Sequence, residues 1–172
     1  ADPDLRILLG HGSGSFAHRP AKKHRTRTSV PGAAAWRGFV EVWQQAAALN
    51  RLVMDALAAA DLPAIAFPPS ASVMTQDGEI IRWATAGIRA ALHAGLLPVV
   101  YGDVAFDSQR GGTILSTEEI FIYLTGELQP SAVLLAGDES GIYADYPERQ
   151  KLLPTLGRAA LADIGNALGE SA

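Results

Sequence analysis

The sequence predicts an α/β fold, a three-layer αβα sandwich around a mainly parallel central sheet. Three observations carry this reading. Apolar runs of strand length recur along the chain, segments of helical period separate them, and loops rich in Gly and Asp follow the run ends. Strands that alternate with helices are joined by crossovers, which make neighbouring strands parallel and cover both faces of their sheet. In such sheets ligands settle beyond the carboxyl ends of the strands, so those loops are where chemistry is expected.

Size and composition fit one domain over residues 1–172. The chain has 172 residues, of which 48% are hydrophobic, enough to enclose a core. Its formal charge of −4 argues against nucleic acid or a membrane surface as partner and leaves a small molecule as the expectation. There is no cysteine, so disulfides, a thiolate nucleophile and a cysteine zinc site are excluded, and a cytoplasmic location fits. No apolar run reaches the length of a membrane span. The opening "ADPD" reads as the end of a helix and its turn, which points to further chain upstream.

The elements follow in order. The apolar start "LRILLG" is the first strand, and it runs into "HGSGSFAH". Arg19, Lys22, Lys23, Arg25 and Arg27 then fall within nine positions, beside His18 and His24. Between Trp36 and Asp61, apolar residues recur at Trp36, Phe39, Val40, Trp43, Ala47, Val53, Leu57 and Ala60, the period of an amphipathic helix. "AIAF", residues 64–67, is a buried strand stopped by Pro68 and Pro69. A second helix is expected over Ile81 to Ala94 with Gly95 as its cap, then the strand "LLPVVYGD". "VAFDSQRGGTILS" suggests a hairpin around Gly111 and Gly112. "STEE", with Ser116 and Glu119 three apart, is a capping box that opens a helix running to about Leu128. "AVLLAG" is the last strand; a polar loop and a helix over Ala159 to Leu168 complete the chain.

Four loops are candidates for chemistry. Gly10, Gly12 and Gly14 let backbone amides face a ligand without intervening Cβ atoms, the requirement of a phosphate nest, and basic residues follow at once. Ser15 stands where G-x-G-x-x-G needs its third glycine and there is no G-K-[ST], so neither common nucleotide fingerprint is present. A Gly-rich strand-to-helix turn with a solvated basic loop explains the same residues. His18 is placed to donate to a phosphoryl oxygen or move a proton, whereas His11, His24 and His93 read as structural. In the second loop Asp103 closes an apolar strand, where a carboxylate either orients a ligand or satisfies turn amides. In the third, capping accounts for Ser116 and Glu119 but not for Glu118. In the fourth, Gly137, Asp138, Gly141 and Asp145 either bend around a nucleotide or form a surface turn. The histidines lack the carboxylate and histidine pairings of a zinc site, so no metal is assigned to side chains. Convergence of four strand-end loops on one sheet edge favours a phosphorylated ligand.

The order of these motifs resembles the amino-acid-kinase superfamily, and within it the isopentenyl phosphate kinases. "HGSGSFAH" is similar to that family's H-G-G-G-S-F-G-H, and "ALNRLVMDAL", "PPS", "LLPVVYGDVAFD", "GGTILSTEEI" and "LLAGDESGIYADYP" follow in family order. The resemblance implies transfer of the terminal phosphoryl group of ATP, with Mg²⁺, to isopentenyl phosphate, giving isopentenyl diphosphate for isoprenoid biosynthesis. It places Gly12, Ser13, His18, Asp103 and Thr117 at the substrate, with Ser13 and Gly14 holding the two phosphates. Gly14, Gly137, Asp138 and Gly141 fall at the nucleotide, and His18 and Glu118 at the reaction. It also implies a homodimer. Ser13, Ala17 and Thr117 stand where the family has glycine, and Glu118 is one methylene longer than the family's aspartate. The family's K-L-G-G-S loop and T-G-G-M-x-x-K segment, with their lysines, have no counterpart, so the chain matches the middle of such a kinase. Two other readings are a sister kinase acting on another phosphate, phosphonate or carboxylate, and a non-catalytic phosphate-binding or dimerisation fragment.

Overall fold

The computed structural model describes residues 5–137, 139–145 and 147–157. Two compact units divide between Pro130 and Ser131.

In the first unit β1 (Leu9–His11), β2 (Ala64–Ala66) and β5 (Leu97–Tyr101) form a wholly parallel sheet in the order β1-β5-β2. A second sheet, in the order β4-β3-β6-β7, contains β3 (Val73–Gln76), β4 (Glu79–Trp83), β6 (Asp103–Asp107) and β7 (Gly111–Leu115). Only Gly102 separates β5 from β6, so one extended run joins the two sheets. The β6–β7 hairpin expected from the paired glycines is present, with Asp107 opposite Gly111.

Two helices lie on each side of this run. α1 (Gly14–His24) and α2 (Ala33–Ala59) belong to one face, where Ala17, Phe39, Val42 and Ala46 pack with Tyr101 and Val104. α3 (Ala86–His93) and α4 (Thr117–Leu128) belong to the other, where Ile88, Ile120 and Leu124 pack with Val100 and Ala105. Neighbours on the strand point to opposite layers, Val100 to one and Tyr101 to the other, as the two-residue period of a strand requires. Each fully enclosed side chain, such as Val42 or Ile120, stabilises the stack by about 1.5–3 kcal/mol. Among the described residues no helix is long and apolar enough to cross a membrane.

Three expectations are corrected. The helix expected from Ile81 begins only at Ala86, because Glu79–Trp83 pairs antiparallel with β3. Asp77 and Gly78, both at positive φ (51° and 87°), turn that hairpin; Asp-Gly is a strong signal for this turn, and it outweighs the apolar spacing. The long helix is present but buries Phe39, Val42, Ala46 and Asn50, leaving Val40 and Trp43 exposed, so its inward face is rotated from the one read off the sequence. "AVLLAG" forms no strand, and Leu134 and Leu135 are exposed. Gly95, at φ 75°, ends the α3 region as expected.

In the second unit β8 (Ile142–Tyr143) pairs antiparallel with β9 (Leu152–Leu153), and Asp145 accepts the amides of Gln150 and Lys151. The helix expected over Ala159 to Leu168 lies outside the described residues.

Candidate active site

The site begins where β1 stops. Ser13 is in the right-handed region (φ −87°, ψ −8°) and Gly14 in the left-handed one (φ 49°). Successive residues of opposite hand turn their amides toward one concave side, the geometry of an anion nest. Gly14 also opens α1, whose first amides have no partners within the helix and receive no side-chain cap. A Cβ at Gly14 would meet nothing within 4 Å, and Gly14, Ser15 and Phe16 are exposed, while Ser13 is buried. Gly10 serves packing instead: a Cβ there would lie 2.4 Å from Phe121 and 2.9 Å from the Thr117 methyl.

His18 lies four residues after Gly14, and Lys22 four after that, which places all three on one face of α1. Both side chains are exposed and neither has a partner among the described residues. Part of the basic run is engaged: His24 Nε2 and Lys23 reach Glu41 at 2.7 and 3.3 Å, and Arg27 reaches Glu119 at 2.8 Å, whereas Arg19 and Arg25 are exposed. His24 also packs against α2 where Gly38 lacks a side chain. Ala17 and Pro20 are buried on the opposite side of α1, so the helix turns its basic and histidine face outward.

Three of the four loops meet here. The Gly102 amide donates to the His11 carbonyl oxygen (3.1 Å), and a Cβ on Gly102 would lie 3.5 Å from the Ser13 nitrogen, so the missing side chain leaves room beside that amide. The Thr117 hydroxyl donates to the same His11 oxygen (2.7 Å) and ties the start of α4 to the end of β1. Glu118, one position on, is exposed and has no partner among the described residues. The fourth loop belongs to the other unit, where Gly137 is exposed and Gly141 adopts φ 152°. Asp138 lies outside the described residues.

Asp103 is 1% exposed. Its oxygens accept the Ser70 amide (3.1 Å) and the Val104 amide (2.8 Å). Burial pushes its carboxyl above the usual range, against the pull of the hydrogen bonds from Ser70 and Val104. Its observed work is to lock the Pro69–Ala71 turn onto the strand end, the turn-amide alternative for this position. Beside that turn Phe39, Val40, Trp43, Val104 and Phe106 line a cavity of about 380 Å³. Phe39 is a core residue whose edge also reaches this space, whereas Trp43, at a position whose period suggests core, is exposed along it; periodicity does not distinguish a packed aromatic from one that walls a cavity.

The strand ends thus carry uncapped amides, a histidine and a lysine on one helix face, a carboxylate without a partner among the described residues, and an apolar cavity by the Pro69–Ala71 turn. Among the described residues no three side chains of metal-binding type come together. Comparison with known proteins agrees with the fold. The model of the amino acid kinase family matches residues 2–171. Isopentenyl phosphate kinase of Methanocaldococcus jannaschii is 32% identical over 146 residues, which are 83% of this chain and 55% of that protein. The chain therefore spans little more than half the length of that relative. A solved isopentenyl phosphate kinase superposes with a TM-score of 0.83 at 30% identity, covering 93% of this chain and 68% of that one. A second, solved as a substrate complex, gives 0.76 at 26% identity, covering 86% and 62%. On this sequence match and this architecture, the chain belongs to the amino acid kinase family.

Proposed function

We propose that this chain carries the acceptor side of an ATP-dependent isopentenyl phosphate kinase. The observation that carries the reading is the Ser13–Gly14 turn of opposite-handed residues, without a side-chain cap and exposed at Gly14, together with an apolar cavity at the Pro69–Ala71 turn that Asp103 holds. An acceptor with a phosphate head and a short branched hydrocarbon tail matches both halves: amides for the head, Phe39, Trp43 and Phe106 for the tail. The likeness to isopentenyl phosphate kinases in sequence and in structure supports the same acceptor.

ATP supplies the phosphoryl group: an oxygen of the acceptor phosphate bonds to its terminal phosphorus as the bond to the departing ADP breaks. This chemistry needs little covalent help and much charge neutralisation. The amides at Ser13 and Gly14 face charge that spreads over phosphoryl oxygens, and they are already oriented before the ligand arrives. His18 donates to the acceptor phosphate from the same helix face, with Lys22 adding charge one turn further. Glu118, free at the first turn of α4, organises the opposite side. The described residues offer no cluster of their own for Mg²⁺, and no step is assigned to it. Gly137, Asp138 and Gly141 remain assigned to the nucleotide, and a cytoplasmic homodimer is the state we assign to the protein.

The test is ADP release by the full-length protein with ATP and Mg²⁺ over a panel of small phosphates, phosphonates and carboxylates. Isopentenyl phosphate is expected to give the highest kcat/KM, and His18→Ala to cut turnover severely while ATP affinity persists. Preference for another acceptor would indicate a sister kinase, and absence of nucleotide binding a non-catalytic protein.

A further inference from the structure

His11 closes β1 and is half-buried beneath the turn that begins the site. Its ring stacks on Tyr101, centroids 5.3 Å apart and planes 8° from parallel. Nδ1 lies 2.9 Å from the Gly12 carbonyl oxygen, and Nε2 lies 3.2 Å from Asn50 Oδ1 on α2. Neither oxygen has a hydrogen to give, but only the Asn50 amide can turn about its side chain; the hydrogen is therefore on Nδ1, His11 donates to Gly12, and Asn50 turns its NH₂ end to donate to Nε2. Asn50 is 8% exposed, and His11 is the partner of its side chain, so a polar group of the long helix is spent on holding this ring.

The consequence falls on the next bond. The peptide between Gly12 and Ser13 is planar, and in its trans form the C=O and N–H point in opposite directions. Holding the Gly12 oxygen against the imidazole therefore aims the Ser13 N–H away from it. Gly12 has almost nothing of its own to fix this plane: the nearest atom to a Cβ there is 4.0 Å away. We infer that His11, braced by Asn50 and Tyr101, is a positioning residue that sets the orientation of the Gly12–Ser13 peptide and with it the phosphate affinity of the Ser13–Gly14 turn. It touches no ligand. Sequence reasoning read it as a structural histidine, and its structural contacts are what give it this role. The inference rests on the proposed phosphate site, not on which acceptor the enzyme prefers.

The experiment measures pyrophosphate binding by calorimetry on the full-length protein, together with thermal unfolding and the KM and kcat for isopentenyl phosphate. His11→Phe keeps the stack on Tyr101 and removes the donor; it is expected to weaken pyrophosphate roughly tenfold, the loss of one hydrogen bond to a charged group. KM should rise with it, more than kcat falls. His11→Asn, whose amide nitrogen can stand near the Nδ1 position, should restore most of the affinity, and Asn50→Leu should show a smaller loss in the same direction. Unchanged pyrophosphate affinity in His11→Phe, or an equal loss in His11→Asn, overturns the inference, as does a wild type that does not bind pyrophosphate. If the variants do not fold, ¹⁵N resonances of wild-type His11 decide: a protonated Nδ1 is expected, and a bare Nδ1 overturns the inference. Pyrophosphate binding without phosphorylation of isopentenyl phosphate would refute the proposed acceptor and leave the role of His11 standing.

Discussion

Two helices begin beside the same strand end and treat their first amides in opposite ways. α4 opens on a complete capping box: Ser116 accepts the Glu119 amide at 3.2 Å, and the Glu119 carboxylate accepts the Ser116 amide at 2.6 Å. Two acidic residues, Glu118 and Glu119, sit in its first turn. α1 opens on Gly14 at φ 49° with no side-chain cap and no acidic residue in its first turn. One helix has supplied its own anion; the other has left that place vacant and put histidine and lysine nearby. α2 and α3 also begin without a side-chain cap, so what sets α1 apart is the left-handed Gly14 that follows right-handed Ser13 at its start, the geometry on which the proposed phosphate site rests.

The sharpest way to break this contrast is Gly14→Val. Only glycine adopts a left-handed backbone without penalty, and a β-branched side chain there costs about 1–2 kcal/mol and tips the amides out of register. Loss of an oriented donor at a phosphoryl site is expected to lower kcat/KM on the order of 10²-fold. Steady-state kinetics alongside thermal melting would show whether activity falls far more than stability. A variant that melts early yet works normally once folded would make the turn a mere bend.

How far this contrast was legible in the sequence differs between its two sides. The capping box is a local pattern, Ser and Glu three apart, and it is present as read. So is the helix to Leu128, and so are the parallel strands and the glycine-rich turn at the end of the first of them. What the sequence hid is non-local. That Thr117 reaches the His11 oxygen spans 106 positions, and that Asn50 braces His11 spans 39. Neither residue differs in type from an ordinary surface polar residue. The Asp77–Gly78 hairpin is hidden for another reason: Ile81, Ala84, Ile88 and Ala91 recur at helical spacing straight across the boundary between β4 and α3, so the period runs on where the structure changes.

A third set of convergent amides shows what an occupied cradle looks like. Asp107, 5% exposed, accepts the amides of Asp77, Gly78, Gln109 and Arg110 and the Thr75 hydroxyl. Burial alone would raise its carboxyl, but the donors from Arg110, Gly78, Thr75 and Gln109 outweigh it and hold the group well below the usual carboxylate range. A carboxylate depressed by folding adds stability above its unfolded value, near 3.8, and that stability is lost as pH falls below it toward the folded value. Asp107→Asn is therefore expected to cost about 2–3 kcal/mol at neutral pH. The gap to wild type should narrow in chemical denaturation curves taken below pH 4. A gap constant with pH would mean that the charge at Asp107 contributes nothing, and the analogy with a bound phosphate would fail.

The smallest expected effect tests the capped helix itself. Ser116→Ala removes the side chain that accepts the Glu119 amide and should cost about 1 kcal/mol, visible as a modest fall in Tm. Pyrophosphate affinity should not change, because the amides of α4 were never open to it. Glu119 remains in place, and its carboxylate still holds the Ser116 amide and Arg27, so the first turn keeps an anion of its own. The outcome that would undo the contrast is a gain or loss of pyrophosphate binding in this variant. Either would mean that phosphate reaches the start of α4 as well, and that the capping box and the nest share a single anion.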